Sequence, residues 1–171
     1  MSPRPPEIRI RTHPVSLAPD WDRRNSAMRG ELIHQAFFFL DHGSDRKDVE
    51  RAVWQAFSFH GVDRLRCTVE KDYVEPMVKA LSLPQVRQWF AQGVTNLREV
   101  EVVDAQGEVH RIDRLVIGDG SLEVIDFKLG NRERAHLAQV GLYQRLTETI
   151  FQRPTQGYLL YIDEPAVVAL P

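Results

Sequence analysis

From Val109 to Gly130 the chain reads VHRIDRLVIGDGSLEVIDFKLG, and this stretch decides the fold. Two runs rich in β-branched residues, Glu108 to Ile117 and Ser121 to Lys128, flank Gly118-Asp119-Gly120. Asp-Gly as a two-residue loop favours a type I′ turn, so the spacing predicts a β-hairpin. With Asp119 and Gly120 as the loop, Gly118 faces Ser121, Asp113 faces Asp126 and Arg111 faces Lys128. Asp126 and Lys128 lie two residues apart and so share one face of the sheet. Directly opposed residues place their Cβ atoms roughly 4.5–5.5 Å apart. Two carboxylates that close repel, unless one is protonated or a cation lies between them. Ile112, Leu115, Val124, Ile125 and Phe127 predict burial on both faces, where an unpaired acid is costly. Plain ion pairs, Asp113 with Arg114 or Asp126 with Lys128, are the simpler alternative. A divalent metal between the aspartates, with Lys128 beside it, accounts for the burial as well.

Outward from the hairpin, the strand pattern continues on both sides. Leu97 to Val103 is a first strand, and Asp104 to Gly107 is a turn. Gly130 and Asn131 interrupt the chain before a helix from about Arg132 to Phe151. Pro154 and Gly157 bracket a last strand, Tyr158 to Ile162. That strand reaches the same sheet only through a crossover, which predicts a mixed α/β sheet with helices packed on it.

The first half reads as helical. Ser26 is a candidate N-cap, and Ile33, Ala36, Phe37 and Leu40 form an apolar stripe at helical spacing. Further helices are expected over Asp45 to Phe59, Val69 to Leu81 and Pro84 to Ala91, with Pro84 suited to a first turn. Residues 1–24, with five prolines, read as an irregular linker-like segment. Phe37, Phe38 and Phe39 are expected in the core; Trp54, Phe57 and Phe59 belong there too or meet a neighbouring domain.

Composition bounds the class. A chain of 171 residues, 43% hydrophobic and 27% charged, fits one domain with a real core. The single cysteine, Cys67, excludes a disulfide framework and a cysteine metal cluster, and fits a reducing, cytoplasmic setting. No run is long enough to span a membrane. The net charge of −2 does not point to nucleic acid. Local basic groups exist at Arg23, Arg24 and Arg29, at Arg46 and Lys47, and at Arg132 and Arg134, and alone they read as solvated faces.

Four pieces stand in order along the chain: Gly30-Glu-Leu-Ile-His34; Ile112-Asp113-Arg114; Asp126-Phe127-Lys128; and Gln139-Val-Gly-Leu-Tyr143. Together they resemble the RecB-like branch of the PD-(D/E)XK nuclease superfamily, over Arg29 to Ile162. The resemblance implies a restriction-endonuclease-like αβββαβ core with extra N-terminal helices. Residues 25–171 would form a single nuclease domain, with 25–92 mainly helical and 93–171 the catalytic core. It implies metal-dependent cleavage of DNA, in end processing for recombination or repair. By position, Asp113 and Asp126 would be metal ligands together with the backbone carbonyl of Phe127. His34 would be a further ligand or lie beside the metal. Lys128 would position or activate the attacking water, and Gln139 and Tyr143 would shape the site and hold DNA. Mg²⁺ suits carboxylates, waters and phosphate oxygens, and an imidazole ligand makes Mn²⁺ a substitute.

The single cysteine departs from the sub-branch that carries an iron–sulfur cluster on four cysteines. No G-x-x-x-x-G-K-[ST] motif is present, so any helicase partner lies in an absent domain or subunit. The alternative class is a catalytically inactive DNA-binding or interaction module of the same fold, against which intact Asp113, Asp126 and Lys128 argue. Taken alone, His34 is a core or boundary histidine, and Gln139 with Tyr143 a helix-packing pair. Of Glu99, Glu101 and Glu123, Glu101 is the best placed as an extra acidic ligand, although solvent-facing or ion-paired roles are expected. His110 falls on the opposite face from Asp113 in this register and is excluded.

Overall fold

The computed structural model describes residues 21–43, 45–62 and 68–171. Expectations for residues 1–20 and for Cys67 lie outside them, as do those for the side chains of Arg23 and Arg24. Four helical elements come first: α1 (Trp21–Phe39), α2 (Arg46–His60), a π-helical turn (Glu70–Val74) running into α3 (Glu75–Leu81), and α4 (Pro84–Trp89). Three strands follow, β1 (Thr95–Val103), β2 (Val109–Ile117) and β3 (Leu122–Lys128). Helix α5 (Arg134–Phe151), β4 (Thr155–Tyr161) and β5 (Ala166–Ala169) complete the chain.

Local signals set most boundaries. Asp45 caps α2, its carboxylate accepting from Asp48 N at 2.8 Å. Gly61 ends that helix at φ +62°, a conformation that costs glycine little. Val49, Ala52, Val53, Ala56 and Phe57 form the buried stripe of α2. Ser26, expected as an N-cap, instead lies within α1, which begins at Trp21. Residues 21–24, expected to be irregular, are therefore helical.

The five strands form one sheet in the order β1-β2-β3-β4-β5. β3 and β4 run parallel, joined by the α5 crossover; the other neighbours are antiparallel. This is the mixed αβββαβ core predicted above, with β5 as an added edge strand. α1–α4 pack on one face over Phe37, Val116, Ile125, Phe127 and Leu160. α5 packs on the other over Ile112, Leu115, Val124, Val140 and Leu159. β3 lies between both layers, and Val124, Ile125, Asp126 and Phe127 are all buried.

The hairpin keeps the predicted register. Ile117 pairs with Leu122 and Arg114 with Ile125, and Gly118 N donates to Ser121 O. Neither Asp119 nor Gly120 takes a positive φ, so the turn is not type I′. The Gly118 carbonyl accepts from the Arg153 guanidinium, a contact from beyond α5.

Candidate active site

The β2–β3 ladder ends at Arg114 and Ile125, one pair short of the two aspartates. Beyond that point the strands part. Asp113 Oδ2 accepts from Phe127 N at 2.7 Å, so a carboxylate holds the amide. Arg111 does not face Lys128: it pairs with Glu101 across β1, while Lys128 pairs with Tyr161 on β4. Asp113 and Asp126 thus lie just past the last ladder pair.

Asp126 is 2% exposed. Lys128 Nζ lies 2.7 Å from its Oδ2, on the same face as predicted, but that oxygen is buried with no aligned hydrogen-bond donor. Burial first, and then the neighbouring Asp113, push the Asp126 carboxyl up to about 6, against the opposing pull of Lys128. Lys128 Nζ also donates to Gln139 Oε1 at 2.9 Å, and Gln139 Nε2 donates to the Tyr143 hydroxyl at 2.7 Å. Residues 139 and 143, four apart on α5, thus form a relay that orients the lysine.

His34 comes from α1, its Nδ1 3.3 Å from Asp113 Oδ1. Burial opposes the imidazolium, but the hydrogen bond to Asp113 and the charges of Asp113 and Asp126 outweigh it and raise the pKa. Arg114, the neighbour of Asp113, makes no ion pair with it. Its guanidinium donates to Phe37 O, Leu40 O and Asn96 Oδ1, each at 2.8 Å, and its Cζ sits 4.1 Å from the Phe90 ring centroid. The arginine therefore anchors the C-terminal end of α1 against β2, which sets the height of His34. Phe127, beside Asp126, stacks on Phe37 at 4.4 Å and ties the same helix to β3.

Glu99, rather than Glu101, joins this site. It has φ +52°, a rare backbone state for a side-chain-bearing residue, in the middle of β1. Arg98 reaches Phe38 O on α1, and its neighbour Glu99 turns into the same side, where it lines a pocket with His34, His60 and Arg111. That pocket has a volume of about 440 Å³. Glu99 is ion-paired with Arg111 at 2.8 Å; burial, with Asp113 nearby, raises its pKa. A break in strand alternation moved it, and no local signal in the sequence announces that break.

The remaining basic groups are largely engaged. Arg29 pairs with Asp163 at 2.6 Å and donates to Asp72 O, and Arg46 pairs with Glu50 and Glu70. Arg132 lies over the Tyr161 ring at 5.3 Å.

Asp113, Asp126, His34 and Glu99 are oxygen and nitrogen donors of the kind a divalent cation takes, and Asp126 Oδ2, ion-paired with Lys128, retains a free lone pair. A second cluster lies at the β1–β2 turn. Among the described residues, Asp104, Glu108 and His110 alone bring ligand atoms within 4.8 Å of one another. This trio could coordinate a divalent ion, whereas no three ligand atoms of Asp113, Asp126, His34 and Glu99 come within that distance of one another. His110 Nε2 lies 2.9 Å from Asp104 Oδ2, and the ring sits 6.2 Å from Tyr143, on the α5 side. Asp104 also accepts from Gln106 N and Glu108 N, and these contacts, led by His110, lower its pKa.

The sequence profile of the PD-(D/E)XK nuclease superfamily matches residues 10–169. The chain belongs to the PD-(D/E)XK nuclease superfamily. Fold and candidate metal-binding residues support a nuclease-type function in general, with the nucleic-acid interaction typical of that superfamily. A solved structure described as "Crystal structure of SSO0001" is 18% identical, with 60% of this chain and 59% of that chain covered and a TM-score of 0.31. This chain therefore spans less than two thirds of that protein's length. No curated protein matches it. No described helix is long and apolar enough to cross a membrane.

Proposed function

We propose that this chain is a Mg²⁺-dependent deoxyribonuclease of the RecB-like type, acting in DNA end processing as the nuclease domain of a helicase–nuclease. The observation that carries the hydrolytic reading is the buried Asp126, paired with Lys128 at 2.7 Å where β2 and β3 part around Asp113. The resemblance in the four motif pieces supports DNA as substrate and the coupling to a motor, and the single cysteine fits a cytoplasmic setting.

Asp113 and Asp126, with His34 and the Phe127 carbonyl, would hold the ion, and Glu99 is placed to complete the set. Bound there, Mg²⁺ supplies positive charge that polarises the phosphate and acidifies water. The chain's own groups do the rest. Lys128, oriented by Gln139 and Tyr143, holds a proton at Nζ beside the reacting phosphate and stabilises the charge that grows there. His34, fixed by Asp113, shapes the wall that α1 contributes.

The test is degradation of linear and circular DNA, single- and double-stranded, in Mg²⁺, Mn²⁺ or EDTA. Asp113→Ala and Lys128→Ala are each expected to lower the rate by roughly 10²–10³-fold or more. Cutting that persists in EDTA, or in both variants, contradicts the proposal. Folded protein that cuts nothing in any metal favours the inactive DNA-binding module.

A further inference from the structure

Water that attacks a phosphodiester must give up a proton, and the groups placed at the site so far are poor acceptors. Lys128 as an ammonium has donors and no lone pair. Gln139 and Tyr143 use their polar atoms to orient it. Asp113 and Asp126 would hold the ion.

Helix α5 carries a further titratable side chain on this side. Tyr143 is buried, and Gln139 and His136, nearer the start of the helix, are half-buried. His136 stands three residues before Gln139, so the two share one face of α5. Its Nδ1 lies 3.2 Å from the Tyr161 hydroxyl oxygen. Tyr161 on β4 pairs with Lys128 on β3, so both side chains project from neighbouring strands toward α5. His136 therefore covers Tyr161 as Gln139 covers Lys128. His136 Nε2 has no hydrogen-bond partner among the described residues.

The surroundings favour a neutral ring. Burial first, and then the Lys128 charge, lower the His136 pKa, against the pull of Glu133. Arg132 over the Tyr161 ring adds a second cation on that side, and the first turn of a helix disfavours positive charge. A neutral imidazole beside a cationic lysine is equipped to accept a proton.

We propose that His136 is the general base: with Nδ1–H donating to Tyr161, its Nε2 takes the proton of the attacking water. The water O–H bond breaks as the oxygen bonds to phosphorus. The P–O bond to the leaving sugar oxygen breaks with its electron pair, and that oxygen takes a proton from solvent. Lys128 stabilises the growing charge, so the two tasks fall to two residues. The inference rests on the nuclease reading and adds a residue outside the four motif pieces.

Nuclear magnetic resonance of ¹⁵N-labelled, metal-free protein reads the ring directly. The neutral His136 is expected as the Nδ1–H tautomer, titrating below the ordinary 6.5. In saturating Mg²⁺, His136→Ala is expected to lower kcat for oligonucleotide cleavage about 10²-fold or more. Its Mn²⁺ affinity and melting temperature should match the wild type. Added imidazole should restore part of the rate, following its neutral fraction as the pH is varied. His136→Gln can still bond Tyr161 but takes no proton, and should stay as slow as the Ala variant. An Nε2–H tautomer, wild-type rates in either variant, or a loss that imidazole leaves unchanged overturns the proposal. Where the wild type cuts in Mg²⁺, those results remove the base and leave the nuclease reading standing. A wild type that cuts nothing in Mg²⁺ or Mn²⁺ overturns both.

Discussion

Replacing Asp126 by asparagine is predicted to stabilise the metal-free protein at neutral pH while removing a metal ligand. Burial and Asp113 hold the Asp126 carboxyl at about 6, against an ordinary 3.8. That difference corresponds to about 3 kcal/mol against the ionised form at neutral pH. An acid whose pKa is raised by folding favours the native state fully only below its unfolded value. Its contribution is lost as the pH rises from about 4 through about 6. Asparagine has nearly the same shape and never ionises, so the variant escapes that loss. Lys128 then lacks its counter-charge, which leaves a net gain of about 1–3 kcal/mol at pH 7.5. His34, also raised, tilts both stability profiles the same way, losing its contribution as the pH rises through its folded pKa. The difference between the two proteins therefore reads Asp126 together with the part of the His34 shift that its charge causes. Urea unfolding in EDTA from pH 4 to 8 reads it, with the curves closest near pH 4, diverging from there to about pH 6 and holding a constant gap above. Mg²⁺ at a thousand times its Kd should reverse the order, since about 4.1 kcal/mol then accrues to the wild type. Parallel profiles, or a less stable variant at pH 7.5 in EDTA, refute the reasoning.

Two further substitutions test the supports of the site. Arg114→Met leaves the carbonyls of Phe37 and Leu40 and the amide oxygen of Asn96 without their donor; a loss of about 3–5 kcal/mol in denaturant unfolding is expected. Arg114→Lys should not rescue it, because a single ammonium cannot span the fork. Glu99→Gln is expected to raise the Mg²⁺ concentration for half-maximal activity by about 10-fold or more, with the melting temperature nearly unchanged.

The sheet was legible because its signals are local. Alternation along β2 and β3 and the Gly118–Ser121 closure set the register down to Arg114 and Ile125. The need for a crossover placed α5 and β4 correctly, and Lys128 fell beside Asp126 as strand periodicity requires. What escaped depends on distant partners. The turn conformation answers to Arg153, from beyond α5. The site side of Glu99 depends on a positive φ that no residue near it demands. Arg114 looked like a partner for Asp113, yet it serves the end of a helix more than seventy residues earlier. The edge strand β5 is four residues long and carries too little pattern to announce itself.

The central claim is that Asp113 and Asp126 jointly hold the catalytic cation. Anomalous diffraction from a crystal soaked in Mn²⁺ tests it most directly. The account predicts a peak between the Asp113 and Asp126 carboxylates, within reach of His34. A peak confined to Asp104, Glu108 and His110, or no peak in a well-diffracting soaked crystal, contradicts it.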